Sequence, residues 1–119
     1  MPTASGHTRA IRASKVTGTT VYNNEGSSIG TVEDIVLDKT SNRIMFAVVG
    51  FGGFLSMGEK YHPVPWALLN YDKDKGGYIV PMTKDTLKSA PAYEFSELTK
   101  HDGEIRDKSY SYYKVAQDW

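Results

Sequence analysis

The chain has 119 residues, 14 Lys and Arg against 14 Asp and Glu, and no Cys. That length fits one domain, able to bury roughly two-thirds of its unfolded surface without covalent staples. Zero formal charge argues against nucleic acid or an anionic membrane as the main partner, and the missing Cys excludes disulfides, thiolate metal sites and thiol catalysis.

Residues 1–14 are polar, carry His7, Arg9 and Arg12, and read as a flexible arm whose end, Ala13-Ser14, leads into the first strand. Thr17 to Tyr22 is β-branched and aromatic, which favours a strand. Asn23-Asn24-Glu25-Gly26 has turn chemistry, because Asn tolerates positive φ and Gly has no Cβ to clash. Ile29 to Asp38 is the second strand, and Gly30 within it marks a bulge or sharp bend. After the turn Lys39-Thr40-Ser41-Asn42, Arg43 to Gly50 has Ile44, Phe46 and Val48 on one face and Met45, Ala47 and Val49 on the other. Both faces are apolar, so this strand is expected to be covered on both sides.

Phe51 to Gly58 is a glycine-punctuated apolar loop, in which Gly52, Gly53 and Gly58 serve the backbone. A fourth strand runs over Lys60–Val64, and Pro65 at its end suits an edge position. Asn70–Asp72 and Gly77–Val80 are short strands about the polar turn Lys73-Asp74-Lys75-Gly76. Short strands separated by turn signals every ~8–12 residues predict a small barrel or sandwich. Thr83 can cap a short helix over Lys84–Ser89, and Asp102 a second from Gly103 to Ala116 with Ile105, Tyr112 and Val115 or Ala116 on one face. Tyr93, Phe95, Tyr110, Tyr112, Tyr113 and Trp119 give the tail more aromatic surface than a solvated linker carries, so it must dock on the barrel or on another subunit.

No catalytic pattern withstands a spacing test. The Gly50–Gly53 run lacks the later Gly of a dinucleotide fingerprint and the Gly-Lys-Ser/Thr of a phosphate loop. Ser56 has Phe54 where a nucleophile elbow needs Gly, and His62 has no matched nucleophile. His7, His62 and His101 are scattered, and Glu33-Asp34 and Asp72-Lys73-Asp74 lack calcium-loop spacing. The basic residues Arg9, Arg12 and Lys15 form the one local positive excess, too small for a nucleic-acid site. The longest apolar stretch, Ile44 to Val49, is far short of the roughly 20 residues that span a bilayer. These readings lead us to expect a soluble, cytoplasmic protein that is not an enzyme and uses no cofactor or metal.

The segment Val21-Tyr22-Asn23-Asn24-Glu25-Gly26-Ser27-Ser28-Ile29-Gly30-Thr31-Val32-Glu33-Asp34 resembles the opening of the PRC-barrel family. The resemblance continues through Asp38–Val49 and is strongest at Gly52-Gly53-Phe54-Leu55-Ser56-Met57-Gly58-Glu59-Lys60 and Pro63–Leu68, with Ser56 where the family's common form has Gly. It covers about residues 15–81, and the tail resembles that of compact stand-alone bacterial members. The resemblance implies a mainly β fold: a small six-stranded β-barrel over residues 15–82 with a short helical, aromatic C-terminal extension over 83–119. It also implies a binding or assembly module. The family's known settings are the cytoplasmic domain of the photosynthetic reaction centre H subunit and the C-terminal domain of a ribosome-maturation protein, both of which act by docking. Peripheral regulation of membrane electron transfer and ribosome assembly or RNA processing are the alternative roles. Phe51, Phe54, Leu55 and Met57 are then a contact surface or a barrel plug. The strands already supply Val32, Ile35, Leu37, Ile44, Phe46 and Val48 to the small barrel interior. With Tyr110, Tyr112, Tyr113 and Trp119, these loop residues therefore exceed what one barrel face covers, which predicts a symmetric homodimer with the C-terminal segment crossing or abutting the partner.

Overall fold

The computed structural model describes residues 9–51 and 60–117. Among them, a short helix α1 (Ala13–Val16) precedes β1 (Thr20–Tyr22), β2 (Ser28–Asp38), β3 (Arg43–Gly50), β4 (His62–Val64), β5 (Asn70–Asp72) and β6 (Gly77–Ile79). Helices α2 (Lys84–Lys88) and α3 (Glu104–Tyr113) follow, and 3-10 turns lie at Trp66–Leu68 and Phe95–Glu97. The six strands form one sheet in the order β4-β3-β2-β1-β6-β5, antiparallel except where β1 meets β6.

Six strands were expected, but they do not close into a ring, because β4 and β5 remain edges. The sheet nonetheless wraps. Val64 of β4 and Tyr78 of β6 belong to one buried cluster with Val21, Val32 and Val49. On a flat sheet β4 and β6 would stand four strand spacings apart, roughly 19 Å.

The sheet has two cores. Ala47 and Val49 face the inner cluster, which also takes Val16, Phe51 and Leu87. Phe46 and Val48 face an outer cluster completed by Leu98 and Ile105 from the C-terminal extension. The expected two-sided burial of β3 therefore holds, with one exchange. Val36 pairs with Phe46 but Leu37 pairs with Ile44, leaving Met45 as an extra residue. The bulge moves Met45 to the outer cluster and turns Ile44 to the inner side with Leu37, opposite to the alternation read from sequence.

The extension also seals the β4 edge, where unpaired backbone groups would otherwise face water. Tyr61 and Tyr93 exchange two backbone hydrogen bonds of 2.8 Å each. The Ser109 hydroxyl donates to the Pro63 carbonyl at 2.6 Å, and the Tyr110 hydroxyl donates to the Met45 carbonyl at 3.2 Å. Thr83 caps α2 as expected, its hydroxyl accepting from the Thr86 N–H at 3.3 Å. Asp102 does not cap α3. It lies at φ 47°, and Gly103 occupies the cap position without a side-chain bond. The helix stops at Lys114 in the left-handed region, and its inward residues are Ile105, Ser109 and Tyr110 rather than Ile105, Tyr112 and Val115. Docking on a narrow strand edge selects this stripe, because the small Ser109 lets the helix backbone approach Pro63.

The first strand is shorter than Thr17–Tyr22 because Gly18, at φ +91°, turns the chain out of α1 and donates to the Val32 carbonyl at 2.7 Å. Gly30 sits at a bulge as expected: Val21 pairs with Gly30 and Tyr22 with Ser28, which leaves Ile29 over. A Cβ on Gly30 would stand 2.3 Å from the Gly50 carbonyl oxygen, a backbone atom that cannot swing aside.

Gly30→Ala is expected to lower stability by about 2 kcal/mol or more through this clash, read as a fall in urea midpoint. Ser109→Ala should cost about 1–2 kcal/mol, because the Pro63 carbonyl then loses its donor. An unchanged midpoint for either variant would contradict the contact assigned to it.

Candidate interaction surface

β2 has eleven residues, but β1 pairs only with Ser28–Thr31. On β3, β4 pairs only with Ala47–Val49. From Val36 and Phe46 outward, β2 and β3 therefore continue as a two-stranded ribbon, an arrangement that is marginal in water unless its faces are covered. The ribbon end is fixed locally. The Asp38 carboxylate accepts from the Ser41 hydroxyl at 2.7 Å, the Thr40 hydroxyl at 2.9 Å and the Thr40 N–H at 3.2 Å. These bonds, Ser41's foremost, hold its carboxyl below the ordinary value of 3.8. Asn42 takes φ 64° to close the turn, as its position in sequence suggests.

The outer face of the ribbon lies against the extension through Val36 and Met45. Among the described residues the inner face is met by α1, a single turn anchored by buried Val16, with the Thr19 hydroxyl donating to the Lys15 carbonyl at 3.1 Å. What α1 leaves uncovered is a groove of about 270 Å³ lined by Ala13, Ser14, Thr17, Asp34, Ile35, Leu37 and Ile44. Leu37 is 59% exposed, the most of any large hydrophobic residue described, and Ile11, just before α1, is 50% exposed. Leu37 was expected in the barrel interior and Ala13-Ser14 as the approach to a strand. The overshoot of β2 past its neighbours exposes the first, and the anchoring of Val16 makes the second a helix.

Of the contact residues singled out from sequence, the described ones do not line this groove. Phe51 is a core residue, 3% exposed, its ring centroid 4.8 Å from that of His62. Tyr110 is buried against the sheet, and the half-buried Tyr112 donates its hydroxyl to the Thr86 carbonyl. Tyr113 packs against the inner core, and burial, with Tyr112 beside it, pushes its phenol well above the ordinary range. These three side chains thus meet their own subunit. Gly52, Gly53, Phe54, Leu55, Ser56, Met57, Gly58, His7 and Trp119 lie outside the described residues.

His62 is fully buried, so its ring does not reach solvent to act as a general base. Among the described residues neither ring nitrogen has a hydrogen-bond partner. Burial, the dominant cause, lowers its pKa from 6.5 to about 4. Among the described residues no three His, Asp or Glu side chains converge as metal ligands, and no helix is long and apolar enough to cross a membrane.

Comparison with known proteins places this geometry in context. The sequence pattern of the PRC-barrel domain matches residues 9–87. An uncharacterized protein of Deinococcus radiodurans is 33% identical over 76 residues, covering 64% of this chain. The match spans 27% of that relative, so this chain corresponds to about a quarter of its length.

The buried His62 sets a pH dependence. Its folded pKa lies below the unfolded one, so the unfolded chain binds more protons between about pH 6.5 and 4. Stability is full above that window and falls as pH drops through it, by roughly 2–3 kcal/mol. Asp38 adds its loss only below 3.8, outside the window. Thermal melts at pH 7 and pH 4.5 should show this drop, and His62→Leu should remove most of it. An equal drop in the variant would rule out His62 as its source.

Proposed function

The chain belongs to the PRC-barrel domain family, and we propose that it acts as a non-enzymatic protein-binding and assembly module whose contact surface is the groove between α1 and the β2–β3 ribbon. The observation that carries this reading is the exposure of Leu37 beside that apolar recess. Isolated exposed hydrophobics are ordinary on protein surfaces. Here Leu37 itself lines a recess with Ile35 and Ile44, on a ribbon whose opposite face is already covered, and the exposed Ile11 lies two residues before Ala13 of the same lining. An exposed apolar side chain set in an apolar recess offers a docking partner area to bury.

Docking also suits the chemistry of the described residues. The one His in the sheet is buried and held neutral at physiological pH. The Asp38 carboxylate is already engaged by Ser41 and Thr40, and α3 carries its own local ion pairs, Arg106 with Asp107 and Lys108 with Glu104. The groove instead offers shape and apolar area, which is the chemistry of association.

The intact chain used as bait should retain a protein that Leu37→Asp bait, with an unchanged circular dichroism spectrum, does not. Equal retention by both baits would remove the groove as the contact surface. Turnover of esters, phosphates or glycosides that His62→Ala abolishes would overturn the non-enzymatic reading.

A further inference from the structure

The groove is both a recess and an exposed apolar wall. Ile35, Ile44 and Ala13 line it together with Leu37, which is itself 59% exposed, and Ile11, two residues before Ala13 in the chain, is 50% exposed. A surface with both features on one patch can mate with itself about a two-fold axis, because each copy then supplies the knob for the other's hole. A recess of about 270 Å³ has room for a leucine side chain.

The charges bordering the patch have the same self-complementary character. On α1, the exposed Arg12 and Lys15 flank the lining residues Ala13 and Ser14. Asp34, exposed on β2, lines the groove from another element. Among the described residues none of these three takes part in an ion pair within the chain. A two-fold operation that brings α1 of one copy over β2 of the other sets cations against carboxylates, which favours that register. With 14 charges of each sign, the chain as a whole does not repel a second copy.

We propose that the occupant of the groove is a second copy of this chain, joined as an isologous dimer in which Leu37 of each copy enters the recess of the other. This rests on the docking reading of the groove and names its partner. It locates the dimer on the α1–ribbon face, where the aromatic residues of α3 take no part.

Sedimentation equilibrium or light scattering of the intact chain over 5–100 μM tests it. The expected mass is about twice 13.2 kDa. Leu37→Asp should raise the dissociation constant at least tenfold. Ile11→Asp, outside every strand, should act in the same direction and guards against a folding defect in the first variant. Arg12→Glu with Lys15→Glu should weaken self-association, and mixing that variant with Asp34→Lys should restore a dimer. A single-chain mass throughout that range would overturn the proposal, and so would a dimer that neither apolar substitution moves. A monomeric chain whose Leu37→Asp variant still loses a captured protein would leave the groove as a docking surface and remove only the second copy as its occupant.

Discussion

Strand β3 buries side chains on both faces, and the rest of the architecture answers to that. Ala47 and Val49 point to one core and Phe46 and Val48 to the other, each 1% exposed or less. One sheet can wrap around only one of these faces. The second must be covered by chain that is not part of the sheet, and Leu98 and Ile105 of the C-terminal extension supply the cover. The same segment meets the exposed edge of β4 with the Tyr93 backbone and the Ser109 hydroxyl. Hydrophobic cover and edge protection thus come from one stretch of chain, and removing it would open both together.

The wrapping of the sheet depends on irregularities rather than on regular pairing. Extra residues at Ile29 and Met45 interrupt the ladders that β2 makes with β1 and with β3. Bulges increase local twist and bend the strand that carries them. Gly30 permits the closest approach, with no Cβ to meet the Gly50 carbonyl. The bulge at Met45 has a second effect, because it turns Ile44 toward the inner side of the ribbon. An apolar pair, Ile44 opposite Leu37, then lies beyond the reach of the main core. The groove is thus a consequence of the device that shapes the sheet, combined with an α1 too short to cover the ribbon.

Much was legible in the sequence because it is local. The bounds of β3, the Asn23 and Asn42 turns, the Thr83 cap and the pairing of Asn70–Asp72 with Gly77–Ile79 depend on residues within a few positions of one another. The Val21–Asp34 and Pro63–Leu68 motifs carried the family. Less of the candidate surface could be read. Leu37 looks like any other apolar residue of an alternating strand, and nothing near it in sequence reports that β1 ends at Tyr22 or that β4 pairs no further than Ala47. The α3 stripe was misplaced for a related reason. Periodicity fixes which residues share a face, but the partner decides which face turns inward, and that partner is a strand edge more than forty residues earlier in the chain.

By itself, then, the sequence determined the number of strands, their turns and the two-sided character of β3, which follow from backbone preference and hydrophobic period, and its motifs carried the resemblance to the family. The tertiary structure alone decided that the sheet stays open and that Phe51, His62 and Tyr110 are interior. It alone decided that Leu37 and Ile11 remain at the surface. Burial is a property of how distant segments meet. The lengths at which neighbouring strands stop, and the bulges that re-aim side chains between them, are set by contacts that no local window of residues contains.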